Sequence, residues 1–255
     1  MTLEEILTTI REIFQTVLKG KLTGIYVHGS IAFGCFNRDK SDIDFLVVVK
    51  EALTQQEKEE IIRLLLQLDE HCPPKGMEMS VVQEKVCMPF HYPTPYELHY
   101  SNAHREKYIA DLPGYCEMMH GTDKDLAAHI TVTRTVGLTL WGKPVQEVFG
   151  EVPKADYIDS ILFDVENAEK GIQGDPVYYV LNLCRVCGYL EENIVMSKKQ
   201  GGEWGMNGLP GEYRKLLQSA LKCYEGSDIL ETDAEKLKRF AEYMKKRIKH
   251  LSQNE

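Results

Sequence analysis

The sequence predicts a half in which strands and helices alternate, followed by an all-helical half, an α+β then α layout. Three observations carry that reading. Strand-length runs that are wholly apolar or alternate with period two lie at 24–29, 42–49 and 77–83, with amphipathic helical stretches between them. From Lys124 onward the apolar residues recur at helical spacing. The change in character falls near Val152-Pro153, which divides the chain into 1–152 and 153–255. No internal repeat or low-complexity segment is visible.

Thr2-Leu-Glu-Glu5 is a capping box, and Leu3, Ile6, Leu7, Ile10, Ile13, Phe14, Val17 and Leu18 keep the i, i+3, i+4 rule, so the chain opens on an amphipathic helix. Gly20-Lys-Leu-Thr23 breaks it, and GIYVHG at 24–29 reads as a short buried strand ending in a Gly-Ser turn. Residues 31–41 form a loop or helical turn. The next strand, 42–49, sets Asp42 and Asp44 on one face, and its remainder is apolar enough for burial on both sides. Thr54-Gln-Gln-Glu57 is a second capping box, Ile61, Ile62, Leu65, Leu66 and Leu68 make the following helix amphipathic, and His71-Cys-Pro-Pro-Lys-Gly76 stops it. At 77–83 alternation places Glu78, Ser80 and Val82 on one face and Met77, Met79 and Val81 on the other. The stretch 88–121, rich in Pro, Tyr and His, has no sustained period and predicts long loops with a short helix near 106–111; such loops beside a sheet are candidate binding walls. Helices are then expected at 125–141, 155–170, 176–193, 210–225 and 233–251, with no further strand.

Composition excludes several classes. Over 255 residues the chain is 43% hydrophobic, 27% charged and 9% aromatic, which rules out disorder, collagen and coiled coil. Thirty Lys+Arg against 39 Asp+Glu leave a net charge of −9, which disfavours a nucleic-acid partner and suits a cationic small substrate. No apolar run approaches the roughly 20 residues of a membrane span, and the N-terminal MTLEEILTTIREIF is acidic and amphipathic where a signal peptide is basic and then apolar. The expected address is the cytoplasm, away from membranes. Seven scattered cysteines, an odd number, argue against structural disulfides; Cys184 and Cys187 lie in an apolar helical run and read as buried thiols. The amphipathic stripes at 155–170 and 233–251 are filled within one bundle, so a monomer is expected.

The chemistry-bearing residues concentrate in the first half. Asp42 and Asp44, at i and i+2 on one strand, share a face, and Glu78 on a neighbouring strand completes a set of hard oxygen ligands suited to Mg²⁺. Each piece alone is commonplace: a Gly-Ser is usually a turn, and an Asp-x-Asp a solvated strand end. Together, beside an apolar core, unpaired carboxylates tend to mark metal or catalytic sites. Gly29-Ser30 adds close backbone approach and a hydroxyl donor for phosphate oxygens. These are the parts for phosphoryl or nucleotidyl transfer.

The segment VHGSIAFGCFNRDKSDIDFLVVV resembles the signature of the DNA polymerase β-type nucleotidyltransferase superfamily. HYPTPYELHYS (91–101), the stretch 122–153, YVLNLCR (179–185) and SKKQGGEWGMNGLP (197–210) are similar to the aminoglycoside (spectinomycin/streptomycin) adenylyltransferases, over nearly the whole chain. The resemblance implies an N-terminal nucleotidyltransferase domain with a mixed sheet flanked by helices, a C-terminal helical bundle, and ATP and antibiotic bound between them. It implies that Gly29 and Ser30 contact the nucleotide phosphates, that Asp42 and Asp44 bind Mg²⁺, and that Glu78 is the catalytic base, a third metal ligand or both. Arg185 and Lys198 then reach the triphosphate, and Tyr224 in KCYEGSD lies near the nucleotide. Arg185 on an apolar helix face otherwise needs an internal anion, and Lys198 in a Ser-Lys-Lys-Gln-Gly-Gly loop is otherwise solvated surface. Acidic residues suit a cationic aminocyclitol, so Asp125, Asp175, Tyr178 and Glu78 are expected on the drug side, with helix capping as the other role for Asp125 and Asp175. Members that also modify streptomycin carry a tryptophan and an additional aspartate where this chain has Glu166 and Gly171, which favours spectinomycin alone. The implied reaction is transfer of AMP from ATP to a spectinomycin hydroxyl with release of pyrophosphate.

Overall fold

Thr2 accepts from the backbone N–H of Glu5 while the Glu5 carboxylate accepts from the Thr2 N–H at 2.7 Å, so α1 (Leu3–Leu18) begins where the capping box requires. The computed structural model describes all residues except 227–229, 231, 254 and 255, so Ser227 and Asp228 of the KCYEGSD segment lie outside the described residues. Two units are present, Met1–Pro153 and Lys154–Glu255.

In the first unit α1 is followed by β1 (Leu22–Val27), the single turn α2 (Gly29–Ala32), β2 (Ile43–Val49), α3 (Gln55–Asp69), β3 (Met77–Gln83) and the short α4 (Glu84–Cys87). The short helix expected near 106–111 is present as α5 (Arg105–Ala110), but the stretch 88–121, expected to be otherwise loop, also contains β4 (Thr94–Tyr96), β5 (Leu98–Ser101), α6 (Leu112–Met118) and β6 (Gly121–Asp123). These strands are three or four residues long, too short for a local period to announce; β5 exists because the edge of β3 offers its backbone partners. A second correction follows at α7 (Leu126–Val136). The helix ends at Gly137, where a Cβ would meet the Thr133 carbonyl oxygen at 2.4 Å, and the chain enters β7 (Leu138–Gly142), a strand where none was expected. Pairing with β1 decides that outcome over helical propensity. The unit closes with α8 (Val145–Val148).

The main sheet has the order β5-β3-β2-β1-β7, with β2 and β3 parallel and the other pairs antiparallel; β4 and β6 form a separate ribbon. Both faces of the sheet are covered. Phe45, Val47, Val49, Met79 and Val81 pack with α1 and α3 on one side, while Tyr26, Leu46, Val48 and Val82 pack with Leu126 and Ile130 of α7 on the other. The complete burial of 45–49 is what its unbroken apolar run predicts.

The second unit consists of α9 (Lys154–Asp164), α10 (Ala168–Gly171), α11 (Pro176–Glu192), α12 (Lys198–Gly208), α13 (Arg214–Glu225) and α14 (Ala234–Ser252). The helix expected over 155–170 is thus broken after Asp164. α11 is its centre, with Val180, Leu181, Leu183, Cys184, Val186 and Cys187 buried, packed against α12, α13 and α14. The Ser-Lys-Lys-Gln-Gly-Gly segment is not a loop but the start of α12. Ser197 and Gln200 form a capping box, with bonds of 2.8 and 3.1 Å. The glycines that lower its helix propensity are its packing surface: a Cβ on Gly201 would lie 2.7 Å from Cα of Arg185, and one on Gly205 2.9 Å from Sγ of Cys184. None of the seven cysteines, all among the described residues, is in a disulfide. Among the described residues no helix is long and apolar enough to cross a membrane.

Candidate active site

The parallel register sets Asp44 opposite Glu78. Asp42, just before β2, joins them, and the three half-buried carboxylates offer oxygens that all lie within 4.8 Å of one another. Three like charges at that spacing repel, and hard oxygen donors converging on one point fit a divalent cation. Beside them the chain turns at Gly29 with φ +60°, and a Cβ there would lie 1.9 Å from Oδ2 of Asp44. Glycine is therefore required twice over, for the left-handed backbone and for the carboxylate lying against it. The next residue supplies Ser30 Oγ, which is buried and has no hydrogen-bond partner in the protein. An orphaned hydroxyl next to a carboxylate trio is what a phosphate oxygen would satisfy.

Histidines, which the sequence reading overlooked, stand around the trio. His129 Nε2 lies 3.2 Å from Oδ2 of Asp125 one helical turn before it, so Asp125 pairs rather than caps: it makes no side-chain cap bond to α7. Burial alone lowers the His129 pKa, but the charge and hydrogen bond of Asp125, with the fields of Glu78 and Asp44, more than offset this and push it up to about 10. The His28 ring lies 4.8 Å from that of His129 and is held well below the usual histidine range by burial and by the His129 charge. On β5, His99 Nδ1 sits 3.0 Å from Ser80 Oγ. Burial, with the charges of His104 and His129, pushes His99 down to about 4. The i, i+4 spacing of Asp125 and His129 was a readable signal; the approach of His99 to Ser80 was not, because it depends on β5.

In the second unit Arg185, Tyr178 and Lys198 are linked through a residue the sequence did not single out. Asp164, the last residue of α9, accepts from Tyr178 Oη, from Asn182 Nδ2 at 2.5 Å and from Arg185 Nη2 at 3.5 Å. Lys198 Nζ lies 4.7 Å from the Tyr178 ring centroid. Asp175 is exposed and caps α11, accepting from the Tyr178 backbone N–H at 3.1 Å, with Pro176 in the first turn. Tyr224 is half-buried on α13. At Gly171 a Cβ would lie 2.4 Å from the Tyr179 ring, so that ring occupies the space a side chain would need; Glu166 is exposed.

Two strands in parallel register presenting three converging carboxylates beside a tight Gly-Ser turn define a nucleotidyltransferase domain, and the model of that name, "Nucleotidyltransferase domain", matches residues 4–94. The model described as "Aminoglycoside adenylyltransferase, C-terminal domain" matches 147–247. The chain thus carries both domains and is similar over nearly its whole length to aminoglycoside adenylyltransferases. It is 26% identical to spectinomycin 9-adenylyltransferase of Campylobacter jejuni over 249 residues, 95% of this chain and 94% of that protein. With the aminoglycoside (3'')(9) adenylyltransferase of Shigella flexneri it shares 26% over 254 residues, 96% of this chain and 95% of the other. The crystal structure of spectinomycin adenyltransferase AAD(9) from Enterococcus faecialis with ATP and spectinomycin is similar at a TM-score of 0.84 and 25% identity, covering 97% of this chain and all of that one.

Proposed function

We propose that this protein inactivates spectinomycin by transferring AMP from ATP to one of its hydroxyls, the 9-hydroxyl being the expected acceptor, and releases pyrophosphate. The observation that carries the reading is the convergence of Asp42, Asp44 and Glu78 within 4.8 Å, in a chain similar over almost its full length to spectinomycin adenylyltransferases. Asp42 and Asp44 would hold Mg²⁺. When bound, the ion neutralises phosphate charge and polarises the α-phosphoryl group.

The chain's own groups do the rest. Ser30 donates its hydroxyl to a phosphate oxygen, with the Gly29 backbone close beside it. Glu78 accepts the proton of the drug hydroxyl as its oxygen bonds to the α-phosphorus; the bond from that phosphorus to the bridging oxygen breaks, and pyrophosphate departs. Arg185 and Lys198 offset the charge gathering on the leaving group, and Tyr224 flanks the nucleotide. Asp125, Asp175 and Tyr178 serve the cationic aminocyclitol. The reading places the enzyme in the cytoplasm, which fits use of ATP and seven cysteines outside any disulfide.

Restriction to spectinomycin is favoured by Gly171 and Glu166, which stand where dual-specificity members carry an aspartate and a tryptophan; the Tyr179 ring would have to move to admit a side chain at 171. The test is pyrophosphate release from ATP and Mg²⁺ with spectinomycin, streptomycin, kanamycin or no acceptor, using Asp44→Asn as the blank. Release with spectinomycin alone supports the whole reading. Release with streptomycin as well removes the specificity argument, and ATP binding without release for any drug removes the antibiotic.

A further inference from the structure

Tyr178, Asn182 and Arg185 are spaced i, i+4, i+7 on α11 and form one stripe of that helix. All three direct a donor at a single acceptor, the carboxylate of Asp164 at the end of α9. Asn182 is fully buried, and its amide is oriented by that carboxylate, since the reverse orientation would set its carbonyl oxygen against a charge of the same sign. Lys198 enters the same group through the face of the Tyr178 ring, and it is held there by the Ser197 cap and by the Gly201 contact that brings α12 onto the backbone of Arg185. Two cations and a phenol from two helices are thereby referred to one carboxylate.

We propose that Asp164 is a positioning residue, which sets Arg185, and through Tyr178 also Lys198, for the phosphates of the nucleotide. The inference rests on the reading of Arg185 as a phosphate-directed residue. The character of the contacts separates positioning from drug binding. A carboxylate already accepting from a phenol, a buried amide and a guanidinium is immobilised, so its negative charge orients its neighbours rather than recruiting an ammonium group of the substrate. The grip on Arg185 is of a different kind from the other two. It is a single contact at 3.5 Å, using one of the five N–H donors of a guanidinium, between side chains that keep 22% and 25% of their exposure. Arg185 is therefore aimed but not sequestered, and can exchange this contact for a phosphate oxygen while Tyr178 and Asn182 keep Asp164 in place.

The test uses the full-length protein and three variants: Asp164→Asn, which keeps the shape and removes the charge, Arg185→Gln, and the double variant. Three quantities are read: kcat and KM for ATP, binding of the non-transferable analogue α,β-methylene-ATP with Mg²⁺ by calorimetry, and the melting temperature. Asp164→Asn is expected to lose about 100-fold in kcat, the scale of a misplaced catalytic group, while binding the analogue as tightly as the parent or more so, because an anion near the phosphate-directed cations is gone. A merely structural role would lower melting temperature and analogue binding together, and that result overturns the proposal. The double variant is expected to be no slower than Arg185→Gln, since a residue that acts through another adds nothing once that other is removed. Losses that multiply would show Asp164 acting by another route and overturn it. If Arg185→Gln turns over and binds the analogue like the parent, the reading of Arg185 itself fails; a deficit in Asp164→Asn alone would then be independent of Arg185 and overturn the positioning role separately.

Discussion

Glu78 faces Asp44 across a parallel strand pair, and its position leaves it two uses, proton acceptor and metal ligand. Glu78→Gln separates them, because the amide keeps an oxygen toward the cation but cannot take a proton. Turnover is expected to fall by two orders of magnitude or more, within the range a positioned base contributes, with nearly normal calorimetric affinity for the Mg²⁺ nucleotide; retained turnover would remove Glu78 as base. The histidines predict a pH dependence of opposite sign on two limbs. His129 binds its proton more tightly folded than unfolded, so its contribution is complete below its ordinary value of 6.5 and is lost as pH rises toward about 10. His99 is held down to about 4, so its contribution is complete above 6.5 and is lost as pH falls toward 4. Each limb has a maximal slope of about 1.4 kcal/mol per pH unit for one proton. Urea unfolding across that range is expected to show greatest stability near neutrality, with His99→Gln flattening the acid limb and His129→Gln the alkaline one. An unchanged acid limb in His99→Gln would show that His28, which burial also holds low, and the carboxylates govern it without His99.

At the scale of elements, the α11 and α12 pair depends on glycine. Gly201 and Gly205 let α12 lie against Arg185 and Cys184, and a methyl at 201 meets backbone at 2.7 Å, which cannot rotate away. Gly201→Ala is expected to destabilise by about 1–3 kcal/mol, the cost of overpacking, although alanine is the better helix former. It is also expected to lower kcat, because Arg185 and Lys198 sit on the two helices it forces apart. A stability gain on thermal denaturation would show that α12 shifts freely. The first-unit elements follow a simpler rule: β2 and β3 are legible because each carries its own period, whereas β5 and β7 are not, since their four and five residues become strands only against β3 and β1.

Over the whole molecule, the carboxylate trio belongs to the first unit, while Arg185, Lys198 and Tyr224 belong to the second. If one nucleotide uses both sets, ligand binding couples their unfolding. Scanning calorimetry is expected to show a higher melting temperature with Mg²⁺ and α,β-methylene-ATP than with either alone, by about 2.7 kcal/mol of stabilisation at a ligand concentration 100 times Kd. Chelation of the divalent ion is expected to abolish that gain, as is Asp44→Asn. A transition that separates into one ligand-sensitive and one ligand-insensitive component would confine the nucleotide to a single unit.

By itself the sequence determined the capping boxes at Thr2 and Thr54, the buried strand at 45–49, the approach of Asp42, just before β2, to Asp44 within it, and the helical character of most of the second half. These rest on rules that act within a few residues: side-chain reach to a nearby N–H, the period of two in a strand and of 3.6 in a helix. The tertiary structure decided the rest. It turned 138–142 into an edge strand, made the Ser-Lys-Lys-Gln-Gly-Gly segment a helix packed through its glycines, set His28 against the Asp125–His129 pair, and set Asp164 at the junction of Tyr178, Asn182 and Arg185. No local pattern marks Asp164, because its partners lie 14 to 21 residues away, and only the packing of α9 on α11 brings a carboxylate to three donors whose own spacing is fixed by the helix.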